Sequence, residues 1–149
     1  MPVIPGLMTG GREEEGPRRL PIAIFVDVDG TLAGPYRQGR RELRASARQA
    51  LAMLAEVAPV FLWSFVGAEN ATRLLREFPE LRPYVKGCYG KLDFPLDTVE
   101  LAYAIDDEAL DEPVLACHRV GLCDSYRGGA DTDDLLHVAF AIVSELRAP

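Results

Sequence analysis

Residues 20–32 read LPIAIFVDVDGTL. Positions 20–28 form a short apolar run rich in Ile and Val, the pattern of a strand buried on both faces. Asp29-Gly30 follows as a turn signal. Residues two apart on an extended chain share a face, so Asp27 and Asp29 point the same way where the strand ends. Gly30 lets the backbone turn sharply just beyond them. Two carboxylates this close repel each other, and the repulsion calls for a cation or a shared proton. A hard, oxygen-seeking ion such as Mg²⁺ suits the arrangement.

Working outward, residues 31–39 read as a loop, with Gly34, Pro35 and Gly39 as breakers. From about 41 to 57, Leu43, Ala47, Ala50, Leu51, Leu54 and Val57 recur at helical spacing, and Pro59 stops the helix. Residues 60–63 predict a second buried strand ending at Ser64, and 68–78 a second helix with Glu69 and Asn70 at its positive end. A short strand at 85–89, a brief helix around Thr98, and a strand at 101–105 running into Asp106-Asp107 come next. Residues 114–117 predict a further strand, and 132–146 a last helix with Asp131 as its N-cap. Strands alternating with helices imply a parallel sheet covered on both faces. Such sheets gather ligands at the carboxyl ends of their strands, which singles out Asp27, Asp29, Ser64, Asp106 and Asp107.

The 149 residues suit one domain, with 48% hydrophobic and 26% charged residues, a soluble balance. Residues 1–19 are rich in Gly, Pro and charge and are expected to be a flexible tail before a core domain at 20–149. No apolar run is long enough to cross a bilayer, and the first twenty residues lack the apolar centre of a secretory signal. A cytoplasmic location without membrane contact is the expectation. Cys88, Cys117 and Cys123 are scattered, without a CxxC pair, and only His118 and His137 accompany them, which argues against a disulfide framework or a zinc site. The net charge of −7 argues against broad nucleic-acid binding but leaves room for a local basic groove.

The string DVDGTL at 27–32 resembles the first motif of the haloacid-dehalogenase (HAD) superfamily, D-x-D-G-T-L, at every fixed position. Ser64 resembles its second motif, Lys91 the lysine of its third, and Asp106-Asp107 the acidic pair of its fourth, all in order. Lys91, fifteen residues before Asp106, is preferred over Lys86, the other lysine in the chain. The resemblance implies an α/β fold, a three-layer Rossmann-like parallel sheet with helices on both faces. It implies a phosphatase in which Asp27 attacks phosphorus and forms an aspartyl-phosphate. Asp29 would serve as acid and then base, and Ser64 and Lys91 would hold the phosphoryl group. Mg²⁺ would be held by Asp27, Asp106, Asp107 and the main-chain carbonyl of Asp29. Asp111 is a further candidate beside them.

Asp27 to Ser64 spans 37 residues and Ser64 to Lys91 spans 27, too few for an inserted cap domain. An open site suits a phosphorylated protein or nucleic-acid end, or else a small metabolite covered by a second copy of the chain. Tyr36, Arg37 and Arg40 are candidates for recognition on the loop over the site. Arg40, Arg44 and Arg48 at i, i+4 spacing would form a basic stripe on the first helix, either a solvated face or a landing strip for an anion. A softer similarity, carried by the stretch 124–146, is to capless phosphatases related to those of the RNA-polymerase C-terminal domain. Gly30 and the segment between the second and third motifs depart from that pattern, so its phosphoserine specificity is not transferred. Dehalogenation, phosphotransfer and a non-catalytic partner-binding domain are the alternatives. Asp29 speaks against dehalogenation, which has no use for an acid on a phosphate ester's leaving group.

Overall fold

The computed structural model describes residues 19–108 and 111–149. The expected tail, residues 1–19, lies outside the described residues except for Arg19. Five strands run parallel in the order β3-β2-β1-β4-β5: β1 Leu20–Asp27, β2 Val60–Ser64, β3 Gly87–Gly90, β4 Val99–Asp106 and β5 Arg119–Leu122. The apolar run at 20–28 sits at the centre, where both of its faces are buried, and its neighbours β2 and β4 also feed both cores. Ile24 and Val26 face one side, Ala23 and Phe25 the other, all fully buried.

Helices α1 Ala47–Ala55, α2 Ala68–Glu77 and α4 Asp134–Arg147 supply the apolar residues that cover the first face, with Leu51, Leu54, Leu74 and Leu135 at 0% exposure. The second face is closed differently. The four-residue helix α3, Glu112–Leu115, contributes Val114, and aromatic rings do the rest. Phe25 stacks on Trp63 at 4.6 Å, and Phe94, from the segment after β3, meets Phe25 and Tyr89 edge-on at 4.8 Å each. Phe94 thereby pins the loop that starts at Lys91. The sheet is flanked by helices on both faces, and no inserted cap is found among the described residues.

Three expectations are corrected. The first helix begins at Ala47, not 41, because Arg41 and Arg44 turn inward to distant carboxylates and hold residues 41–46 off the helical path. Residues 114–117 are not a strand. Asp111 caps α3, its Oδ1 accepting from the Val114 N–H at 3.1 Å, with Pro113 in the first turn, and the strand lies at Arg119–Leu122. Asp131 does not cap α4; Asp133, at φ 66°, occupies that position. Among the described residues no helix is long and apolar enough to cross a membrane.

Candidate active site

Parallel strands end on one edge. Asp27 closes β1, Ser64 closes β2 and Asp106 closes β4, while Lys91 follows β3 directly. Chain order reverses across β1, with β2 and β3 on one side and β4 and β5 on the other, so a crevice opens at its end. The cleft there is about 510 Å³, and Asp27, Asp29, Ser64, Lys91, Asp106 and Asp107 all line it. Lys86 is exposed, whereas Lys91 is buried in the cleft.

Lys91 is the hub. Its Nζ lies 2.7 Å from Asp106 Oδ2, 3.0 Å from Asp111 Oδ2 and 3.3 Å from Asp27 Oδ1. Burial alone would lower the lysine pKa, but Asp27 and Asp106 override it and the net shift is upward, so Lys91 is a fixed cation. Asp27 is held well above the usual carboxylate range, by burial first and then by the charge of Asp106, with Lys91 offsetting part. Burial raises Asp106 as well, against the pull of Lys91. The Thr31 hydroxyl donates to Asp27 Oδ2 at 3.2 Å, a contact the sequence reading did not anticipate.

Carboxylate oxygens of Asp27, Asp106 and Asp107 lie within 4.8 Å of one another. Two of the three are buried, and one lysine does not balance them. Clustered oxygen donors with surplus negative charge fit a hard divalent cation. Gly30 sustains the cluster. It sits at φ 81°, and a Cβ there would lie 2.2 Å from Asp107 Oδ2. Asp107 Oδ2 also accepts from the Ser125 hydroxyl at 2.8 Å, and the Tyr126 N–H donates to the Gly30 carbonyl at 2.7 Å. The side chain of Asp29 is not in this cluster.

Asp29 instead faces a polar relay that sequence reasoning missed. Its Oδ1 accepts from Arg41 Nη1 at 3.2 Å, and its Oδ2 accepts from Asn70 Nδ2 at 2.8 Å. The same Asn70 amide donates to Ser64 Oγ at 2.9 Å, tying the two predicted residues together. Arg41, its side chain fully buried, also donates to Glu77 Oε1 at 2.8 Å and lies over the Tyr36 ring at 4.5 Å. Tyr36 completes the set by donating to Glu77 Oε2 at 2.8 Å. The sequence names Tyr36 and Asn70 for other reasons and offers no signal for Arg41 or Glu77. The basic stripe does not form. Arg44 is buried and pairs with Asp124 and with Asp131 at 2.9 Å, while Arg48 is exposed on α1. Cys117 and Cys123 are buried thiols pushed up to about 12 and about 11, and burial likewise raises the pKa of Cys88; all three are free.

No family model and no curated protein matches the chain. Among solved structures it is similar to a protein from Mesorhizobium loti described, provisionally, as a HAD-like phosphatase. The TM-score is 0.53 at 17% identity, over 94% of this chain and 92% of that one. The chain has a HAD-like fold. Asp27, Ser64, Lys91 and Asp106, the residues whose sequence contexts resemble four motifs, meet at one edge of the sheet.

Proposed function

We propose that the chain is a Mg²⁺-dependent phosphomonoester hydrolase working through an aspartyl-phosphate on Asp27. One observation carries the reading: Asp27, 7% exposed at the end of the central strand, lies against Lys91 and inside an acidic trio. A buried carboxylate with a fixed cation beside it is placed to act as a nucleophile.

Asp27 attacks phosphorus, and the bond to the leaving oxygen breaks as Asp29 gives that oxygen a proton. Asp29, now a carboxylate, takes a proton from water attacking the same phosphorus. The acyl-phosphate bond breaks, inorganic phosphate leaves, and Asp27 is restored. Arg41 and Asn70 hold Asp29 at the cleft wall through both steps. Lys91 and Ser64 face the phosphoryl oxygens. Asp27, Asp106 and Asp107 are the residues that would hold Mg²⁺, together with the main-chain carbonyl of Asp29. When bound, the ion supplies positive charge against the charge that grows on the phosphoryl oxygens.

Phe65 and Val66 stand exposed on the cleft rim, an apolar margin that suits a second copy of the chain as a lid. The test of function is p-nitrophenyl phosphate turnover with Mg²⁺, with EDTA, and in Asp27→Asn. Turnover that requires both the metal and Asp27 is the expected result. Turnover surviving in Asp27→Asn would overturn the assignment of the nucleophile.

A further inference from the structure

A second cleft, about 620 Å³, adjoins the first, and Pro35 and Arg127 line both. Its walls carry Arg37, Arg40 and Arg127. Two loops build it. Residues 33–43 form a hairpin in which Ala33 pairs with Leu43 and Arg37 with Arg40. Gln38 and Gly39 turn it with φ 55° and 76°, both in the left-handed region that a two-residue I′ turn requires. That turn sets Arg37 and Arg40 directly opposite each other. The loop at 127–129 packs on the hairpin at Gly34, where a Cβ would lie 3.1 Å from the Gly128 nitrogen. Arg37 Nη2 donates to the Arg127 carbonyl at 3.4 Å, joining the two loops.

The charge balance is one-sided. Among the described residues none of Arg37, Arg40 and Arg127 pairs with a carboxylate. The carboxylate that lines the cleft, Glu42, is engaged: its Oε1 accepts from the Gly129 N–H at 2.6 Å and from the Tyr126 hydroxyl at 3.4 Å. Arg41 also lines the cleft but is paired with Asp29 and Glu77. Like charges set opposite each other cost stability. Three guanidinium groups gathered in one cleft of a chain with net charge −7 therefore point to an anion that offsets the cost. Arginine forks match phosphate oxygens in shape and charge.

We propose that this cleft is a subsite for a second phosphate, so that the preferred substrates are small bisphosphorylated molecules. One phosphoryl group lies at Asp27 while the other lies among Arg37, Arg40 and Arg127. The inference rests on the phosphatase reading and adds the substrate class to it. The acidic balance of the chain outside this cleft favours a small molecule over a phosphate at the end of a nucleic acid.

The experiment compares kcat/KM for α,ω-alkanediol bisphosphates of increasing chain length with that for the matching ω-hydroxyalkyl monophosphates. The wild type is expected to prefer the bisphosphate roughly tenfold at the chain length that spans both clefts, equivalent to two modest exposed ion pairs. In Arg37→Gln/Arg40→Gln the preference falls to near parity. Arg48→Gln, which removes an exposed charge outside both clefts, keeps it. Because each preference is a ratio within one protein, a general loss of activity or stability cancels. Wild type that turns over p-nitrophenyl phosphate but shows no bisphosphate preference at any length overturns the subsite alone. So does a preference that survives in the double variant, or a stronger preference for a 5′- or 3′-phosphorylated oligonucleotide. Absence of any phosphatase turnover takes down the subsite and the underlying reading together.

Discussion

Replacing Lys91 with methionine removes one charge from a group of four, three of them buried and Asp111 half-buried, while keeping the length of the side chain. Lys91 is 4% exposed, and its ammonium lies 2.7, 3.0 and 3.3 Å from three carboxylates. Deleting one partner of a buried ion pair costs roughly 3–5 kcal/mol, because the other partner is left uncompensated. Part of that cost is avoidable here. Asp27 and Asp106 already bind protons more readily than free carboxylates, and without Lys91 they protonate further. The expected loss in EDTA at neutral pH is therefore about 3 kcal/mol, or about 10 °C in Tm. The sign with pH follows from the same groups. The upward shift of Lys91 means that its contribution is fully present below the ordinary lysine value of 10.5 and is lost only as pH rises through the folded pKa. The raised carboxylates of the variant favour acid, so the gap to wild type narrows as pH falls towards 4. Urea titrations in EDTA at several pH values measure this. Mg²⁺ should restore part of the loss, about 2.7 kcal/mol at a hundred times its Kd. Lys91→Met/Asp111→Asn should be less destabilised than Lys91→Met alone. A single variant within about 0.5 kcal/mol of wild type at neutral pH would refute the claim that Lys91 neutralises this cluster.

Gly30→Ala drives a methyl into Asp107 and places alanine at positive φ; Mg²⁺ affinity should fall roughly 10- to 100-fold, with about 1–2 kcal/mol of stability lost. Calorimetric Mg²⁺ titration reads the first effect, and unchanged affinity would remove Asp107 from the metal site. Arg41→Met frees Asp29 from its holder, so turnover of alkyl phosphates, which need an acid for their poor leaving group, should fall at least about tenfold more than turnover of p-nitrophenyl phosphate. Equal losses on both esters would make Arg41 merely structural. Asp131 is pulled from 3.8 down to about 2: burial opposes the shift, but Ser46 and Arg44 outweigh it. A lowered carboxylate stabilises above its unfolded pKa and loses that contribution as pH falls through the folded one. Asp131→Asn should therefore cost about 2 kcal/mol at neutral pH, and the difference should fade between pH 4 and 2. A pH-independent difference in chemical denaturation would contradict this.

The central strand and the carboxylates at its end were legible because both are local. The apolar run, the paired aspartates and the glycine lie within a dozen residues, and parallel pairing brings the other strand ends to the same edge without further information. Ser64 and Asp106 were expected at strand ends and lie there, while Lys91, chosen by resemblance and by its spacing to Asp106, follows β3 directly. What escaped depends on distant partners. Arg41 meets Glu77 across 36 residues and Arg44 meets Asp131 across 87, so neither the late start of α1 nor the support of Asp29 could be read from spacing. The edge strand Arg119–Leu122 is short, contains Gly121, and is only partly buried, so it lacks the apolar run that betrays an inner strand. The helix before it was readable from Asp111 and Pro113, but Val114 to Cys117 gave a stronger strand-like impression.

The central claim is that Asp27 carries the phosphoryl group. Protein incubated with p-nitrophenyl phosphate and Mg²⁺, quenched in acid during turnover and mapped by peptide mass, should gain one phosphoryl group on the peptide containing Asp27. The adduct should be absent in EDTA and in Asp27→Asn. Sustained turnover with no adduct, or an adduct that maps to another residue, would contradict the account.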